Sequence, residues 1–361
     1  MRWLISLKKY KLKLAMVISS LEIGGAEKMV VDLIKDLKEE IEVKLFIIKK
    51  NFNSCFDQEV KKSGISVQYF NHKIKVFSLL VAFRLKKALD EYRPDIIHTH
   101  LKASTYICFY NIFNKNFKWI HTIHTIPKVD TKILRRLFFK KLYNNNRINL
   151  VTVSPSIKKD ASLLYKNAKV RNINNGVNLD IFKPIRKSNN VTLICVGRLE
   201  AVKNYEYIIL EVSKLVKVID INKMYIVGNG SKKEQLVALI KEYGLDSIIE
   251  IIAYTDKVNM YLNSSDIFIN ASFYEGMSLS VIEALASGLI VIASTASKDI
   301  VKNEENGYII DLNSDSLFNK LKEVISRINS LDDIRLRAVD SAKEYSITKM
   351  KDEYLKLYLE E

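Results

Sequence analysis

Short runs of β-branched and aliphatic residues recur along this chain, and each is followed by a segment with helical spacing. LKLAMVIS (12–19), EVKLFII (42–48), ISVQYF (65–70), DIIHTH (95–100), KWIHTIHTI (118–126) and NLVTVS (149–154) read as strands. Amphipathic stretches such as 26–38, 78–91 and 156–167 lie between them. The scheme starts again with VTLICVG (191–197). It continues through KMYIVG (223–228), IIEIIAY (248–254), DIFINAS (266–272), LIVIAS (289–294) and GYIID (307–311). Strands that are apolar throughout, alternating with helices, predict parallel sheets covered on both faces.

Two such series predict an α/β chain of two Rossmann-like domains, 1–185 and 186–345. The join falls near NNGVNLDIFKPIRKSNN (174–190), which is rich in Asn, Pro and charge. The closing stretch, 346–361, places Met350, Tyr354, Leu355 and Tyr358 at helical spacing. It predicts an amphipathic helix, and the pattern leaves open which domain it covers.

Composition narrows the setting. With 361 residues and 48% hydrophobic positions the chain has enough apolar material for two cores. Three dispersed cysteines (Cys55, Cys108, Cys195) and no CxxC argue for a reducing compartment, against a disulfide framework and against a zinc site. No stretch of 18 uncharged apolar residues is present, which predicts a cytosolic protein. The net charge of +16 is uneven: residues 1–185 hold 35 Lys+Arg and 15 Asp+Glu, a net +20, and the remainder is −4. A polyanionic surface facing the first half is implied, either nucleic acid or an anionic membrane leaflet. Arg135, Arg136, Lys140 and Lys141 mix with Leu137, Phe138 and Phe139 in one basic, apolar segment. Residues 73–89 form another, with a core helix as the equal alternative. Trp3, Leu4, Ile5 and Leu7 beside Lys8, Lys9, Lys11 and Lys13 form a third. Together they predict reversible attachment to the inner face of the membrane. No helix-turn-helix, RRM or zinc-finger pattern supports nucleic acid.

A ligand of an open parallel sheet binds beyond the carboxyl ends of its strands. In the second half, Gly197, Arg198 and Lys203 follow one strand; Phe273, Tyr274, Glu275, Gly276, Met277 and Ser278 follow another and lead into the helix SLSVIEALASG. A helix N-terminus with Arg198 and Lys203 nearby makes a cradle for a diphosphate, and Gly276 permits close approach. Glu275 and Glu283 would be ~12 Å apart on one helix, too far to serve a single group. They are read as accepting hydrogen bonds from two sugars, one a ribose. Each residue alone is more simply a surface charge; the set is not.

In the first half, Gly24-Gly25 follows the first strand and suits a backbone approach to phosphate. There is no GxGxxG or GxxxxGK[ST] there. His98, His100, His121 and His124 cluster at two strand ends. Without Cys, and with HxH or HxxH on strands, they do not read as a metal site.

GRLEAVKN (197–204), IVGNGS (226–231), SFYEGMSLSVIEALASGLIVIAS (272–294) and NGYII (306–310) resemble the retaining, nucleotide-sugar-dependent glycosyltransferases of family four. Those enzymes have the GT-B fold, two Rossmann-like domains facing an interdomain cleft. Glu275 and Glu283 meet the family's Glu–seven residues–Glu signature. GGAE (24–27) and NNGVNLDIF (174–182) also match in order, so the resemblance covers nearly the whole chain. It implies that Arg198 and Lys203 bind the diphosphate, Glu283 the ribose, and Glu275 the donor hexose near its C3 hydroxyl. Backbone N–H groups of Met277, Ser278 and Leu279 would hold hexose and phosphate oxygens, and Gly24 and Gly25 would approach the donor phosphate. The pocket histidine corresponds best to His124, with His121 as the other register. His98 and His100 either line the acceptor pocket or fill the interior. Two positions depart from the family: Met277, where an aromatic is common, and Ala253, where Gly often precedes Tyr254.

The resemblance implies a hexosyltransferase using a UDP- or GDP-sugar and a saccharide acceptor, lipid-linked at the cytoplasmic leaflet. It implies no cofactor. Glycosyltransferases of the other large fold hold a metal with Asp-x-Asp, which this chain lacks; here side chains and a helix dipole would neutralise the leaving group. The alternatives are a sugar-nucleotide epimerase on a similar scaffold and a basic nucleic-acid-binding protein.

Overall fold

The computed structural model describes residues 11–72, 77–127, 133–184, 191–313 and 315–360, with the side chains of 133–138 excepted. The patch expected around Trp3, Leu4, Ile5, Leu7, Lys8 and Lys9, and the side chains of Arg135, Arg136, Leu137 and Phe138, lie outside that description. The chain forms two compact units. One is Met1–Gly176 with Ile347–Glu361; the other is Val177–Ser346.

The first unit is built on a parallel sheet of seven strands in the order β3-β2-β1-β4-β5-β6-β7. These are β1 (Lys13–Ile18), β2 (Glu42–Lys49), β3 (Ser66–His72), β4 (Ile96–His100), β5 (Lys118–Ile123), β6 (Asn149–Thr152) and β7 (Val170–Asn172). β1 and β4 are central and buried along nearly their whole length, as their apolar composition requires. The chain reverses direction of winding between them, so the carboxyl ends of β1 and β4 form a switch point where ligands of such sheets bind. The helix Gly25–Leu37 after β1 turns Met29, Val30, Leu33, Ile34 and Leu37 onto the sheet. β7, with Val170 and Asn172 half-buried and Arg171 exposed, lies at the sheet edge and is too short to leave a pattern in the sequence.

The C-terminal helix Ile347–Leu359 belongs to this first unit, which answers the question its pattern left open. Its stripe of Met350, Tyr354, Leu355 and Tyr358 is buried. Tyr354 shares a 3.0 Å hydrogen bond with the Thr122 hydroxyl, and Lys351 pairs with Glu40 at 2.6 Å.

The second unit carries a six-stranded parallel sheet, β10-β9-β8-β11-β12-β13. Its strands are β8 (Thr192–Val196), β9 (Lys223–Val227), β10 (Ile249–Ile252), β11 (Ile267–Asn270), β12 (Ile290–Ser294) and β13 (Tyr308–Ile310). Here the switch point lies between β8 and β11. Leu193, Ile226, Ile267, Ile290 and Tyr308 pack with Ile208, Val212, Leu317 and Leu321 of the covering helices in one continuous core.

Candidate active site

The residues singled out in the second half converge at the carboxyl ends of β8 and β11. The β8 loop is fixed by backbone contacts. The Gly197 N–H donates to Val227 O at 3.0 Å, Leu199 N–H to Asn229 O at 2.9 Å, and Lys232 N–H to Leu199 O at 2.9 Å. The loops after β8 and β9 therefore lie backbone against backbone. A Cβ on Gly228 would stand 1.9 Å from the Gly197 carbonyl oxygen, and one on Gly230 2.3 Å from that of Leu199. Only glycine fits. Gly228→Ala is expected to destabilise this unit by about 3 kcal/mol or more, read as a lower urea midpoint. A variant within ~0.5 kcal/mol of wild type would mean the two loops separate freely.

A second link joins this loop to the β11 loop: the Phe273 N–H donates to Val202 O at 2.9 Å. It brings Lys203 Nζ to 2.5 Å from Glu275 Oε1. Their side chains are only 15% and 14% exposed. The Ser272 hydroxyl donates to the same oxygen at 2.7 Å and the Asn270 amide at 3.4 Å. Burial pushes the Glu275 carboxyl up, but Lys203, Ser272 and Asn270 together outweigh it and hold the group below its ordinary range. Asn270 and Ser272 were not singled out from sequence; their signal was their place at a strand's carboxyl end just before the FYEG turn. The ion pair itself is also new, because the resemblance gives Lys203 and Glu275 different ligand groups.

Next to this pair begins the helix Leu279–Ala286. Its N-cap, Ser278, makes no side-chain cap; the Ser278 hydroxyl instead meets Ser280 Oγ at 3.2 Å and Asn270 at 3.4 Å. Ser278 thus leaves the leading amides without a cap from its own side chain, and the N-terminus of such a helix attracts an anion. Glu283 lies one turn in and is buried, as are Met277 and Leu279. Arg198 is exposed on the β8 loop, and Phe273 and Tyr274 stand exposed at the rim.

In the first unit, Gly24 and Gly25 open the helix after β1, whose N-terminus again has no side-chain cap. The histidines at the ends of β4 and β5 form a closed network. His98 Nδ1 meets the Tyr358 hydroxyl at 2.8 Å and its Nε2 meets Thr122 Oγ1 at 2.8 Å. His121 Nδ1 meets Thr99 Oγ1 at 2.9 Å. His100 Nδ1 lies 2.9 Å from His124 Nε2, and His100 Nε2 lies 3.1 Å from the Met16 sulfur. Both nitrogens of His98 and of His100 are engaged by protein, so neither ring presents a free one. His124 differs: its Nδ1 is buried with no hydrogen-bond partner.

A thioether accepts hydrogen bonds and cannot donate. His100 therefore carries its proton on Nε2, toward Met16, and accepts at Nδ1 from His124 Nε2–H. That leaves His124 Nδ1 as a bare lone pair, an acceptor for a hydroxyl. Burial pushes His98 and His100 well below the usual histidine range, and His124 down to about 3, so these rings are neutral. Among the described residues no group of three or more His, Cys, Asp or Glu side chains is arranged to hold a metal.

Two parallel α/β units, each with a strand-end switch point, are the architecture of GT-B glycosyltransferases, and the family matches place the chain in that class. Residues 23–181 match the family described as Glycosyltransferase Family 4, and residues 177–341 match Glycosyl transferases group 1. The chain belongs to the family 4 type of GT-B glycosyltransferases. It is 24% identical over 92% of its length to an uncharacterized glycosyltransferase of Haemophilus influenzae, covering 95% of that protein. It is 25% identical, over 96% of this chain and 99% of the relative, to a Campylobacter jejuni N-acetylgalactosamine-N,N'-diacetylbacillosaminyl-diphospho-undecaprenol 4-alpha-N-acetylgalactosaminyltransferase. A crystal structure of Anabaena HepE with UDP and glucose superimposes with a TM-score of 0.83 at 16% identity, covering 96% of this chain and 99% of that one.

Proposed function

We propose that this chain transfers a hexose from a UDP- or GDP-sugar to a hydroxyl of a lipid-linked saccharide, in assembly of a cell-surface polysaccharide or glycolipid. The observation that carries this reading is the buried Lys203–Glu275 pair beside the uncapped helix N-terminus. A diphosphate seated there draws on Lys203, Arg198 and the amides of Met277, Ser278 and Leu279. The three hydrogen bonds to Glu275 all fall on Oε1. Its Oε2 is the atom assigned to the donor hexose, and Glu283 is assigned to the ribose. Gly24 and Gly25 give the donor phosphate a second backbone approach.

The acceptor hydroxyl attacks the anomeric carbon on the face from which the diphosphate departs, its proton passes to the leaving phosphate, and configuration is retained. Charge on the leaving group is neutralised by Arg198, Lys203 and the helix amides, with no metal. Ala253 and Met277, the two departures from the family pattern, are the positions assigned to altered donor preference. The lipid-linked acceptor is supported by the Campylobacter jejuni relative, whose name specifies a diphospho-undecaprenol substrate. Attachment to the inner face of the membrane is supported by the basic first half. No helix among the described residues is long and apolar enough to cross a membrane.

UDP or GDP at a hundred times its Kd should stabilise the protein by about 2.7 kcal/mol and raise Tm by roughly 2–4 °C. No shift with either nucleotide contradicts the reading.

His124 Nδ1 is assigned to a hydroxyl of the donor hexose, and His100 serves it from behind by fixing its tautomer. His100→Phe is expected to lower kcat/KM about 10-fold, a loss of ~1.4 kcal/mol. The Tm shift with UDP alone, which has no hexose, stays unchanged. Loss of that shift as well would mean the substitution damages the unit and not the hexose contact.

A further inference from the structure

We infer that the outward face of the helices Leu79–Tyr92 and Ser104–Phe113 docks on an anionic lipid bilayer. The first of these helices is held to the unit by buried Val81, Leu85 and Leu89. Its opposite side should then be polar. Instead Leu79, Leu80 and Phe83 point outward, joined by Phe77 before the helix and by Ile112 and Phe113 at the end of the second one. All six are between 40% and 70% exposed. They form one surface: the Phe109 ring lies 5.0 Å from Phe83, 5.2 Å from Phe113 and 6.4 Å from Phe77. A contiguous patch of this kind is uncommon on a protein with no partner for it.

The charges around it identify the partner. Arg84, Lys87 and Lys115 are exposed along its border, and Lys86 Nζ lies 5.5 Å from the centre of the Phe113 ring. Asp90 is matched by Lys86 at 2.6 Å, and Glu91 faces Lys87 at 4.0 Å. The acids are thus offset within the patch, and an excess of basic groups remains. An apolar centre with a basic border suits acyl chains below anionic headgroups. A second copy docked on the same face would bring two net-basic borders together, which disfavours self-association. The patch also lies in the half that carries the +20 excess.

This inference rests on the reading that the chain works at a membrane surface. The test is co-sedimentation of the full chain with vesicles of phosphatidylcholine alone or with added phosphatidylglycerol. Two triple variants are compared with wild type. Leu80→Glu/Phe83→Glu/Ile112→Glu alters the patch. Leu163→Glu/Val218→Glu/Leu336→Glu places the same charge at other exposed apolar positions. Wild type is expected to pellet with the anionic vesicles and to be released by high salt. The patch variant should bind about 10-fold more weakly or worse, and the control variant should bind as wild type does. An unchanged Tm shift with UDP in the patch variant shows that it is folded. Equal binding by wild type and patch variant overturns the assignment of this face while the membrane reading stands. No vesicle binding by wild type overturns both, leaving sugar transfer unaffected. A dimer that Phe83→Glu dissolves, with no vesicle binding, would make the face a contact between copies and overturn the inference.

Discussion

Glu275→Gln is expected to lower kcat/KM for sugar transfer by about 10²- to 10³-fold, the loss seen when one preorganised charged or hydrogen-bonding group is removed from a transition-state site. The substitution keeps the shape and removes the charge. Oε1 then no longer neutralises Lys203, and the group assigned to the hexose hydroxyl becomes a weaker acceptor. Lys203→Ala should lose at least as much, since it removes a positive charge from the leaving diphosphate. Both changes also break a largely buried ion pair, which costs stability of roughly 1–3 kcal/mol at this degree of burial. A double substitution separates the two effects. Lys203→Met/Glu275→Leu leaves no unpaired charge, so its stability should return to within about 1 kcal/mol of wild type. Its transfer activity should stay at least as low as that of the single variants. Turnover near wild type in that double variant would show that the pair is structural, and the proposed donor site would be lost with it.

The second large effect is on acid stability. His98, His100 and His124 are neutral in the folded first unit because burial disfavours their charged forms. In the unfolded chain each titrates near 6.5. Above that pH neither state binds these protons and stability is at its full value. Below it the unfolded chain takes up protons that the folded one refuses, so stability falls as pH falls. Each ring contributes a slope of about 1.4 kcal/mol per pH unit, or roughly 4 kcal/mol per unit for the three. Glu275, held below its ordinary range, adds in the same direction only in the more acid region where carboxylates protonate. Urea unfolding at pH 7.5, 6.5 and 5.5 should show a plateau and then a steep loss. His98→Asn should reduce the steepness by about a third. A stability that does not change between pH 6.5 and 5.5 would mean the rings open to protonation without unfolding.

The sheets were readable because both are buried on two faces: runs such as LKLAMVIS and LIVIAS have no polar side to obscure them. The three-residue β7 was not, since an edge strand that short buries too little to impose a pattern. The 73–89 segment read equally as a core helix or a sticky surface, and its described part is both at once. Val81 and Leu85 face inward, while Leu80 and Phe83 face outward. Arg198, Lys203, Glu275 and Glu283 were legible as chemistry because charged residues at strand ends of an α/β sheet stand out. Their mutual arrangement was not. Lys203 and Glu275 are 72 residues apart. They meet through the backbone bond between the β8 and β11 loops, which no local spacing encodes. The same holds for the histidines. Four at two strand ends were visible, but Met16, Tyr354 and Tyr358 come from β1 and the chain's last helix.

The most direct measurement is a crystal structure of the chain with UDP or GDP, whichever gives the larger Tm shift. The proposal predicts diphosphate oxygens within hydrogen-bond distance of Arg198, Lys203 and the amides of Met277, Ser278 and Leu279, with the ribose on Glu283. A nucleotide bound elsewhere, with Lys203 making no phosphate contact and Glu283 no ribose contact, would contradict it.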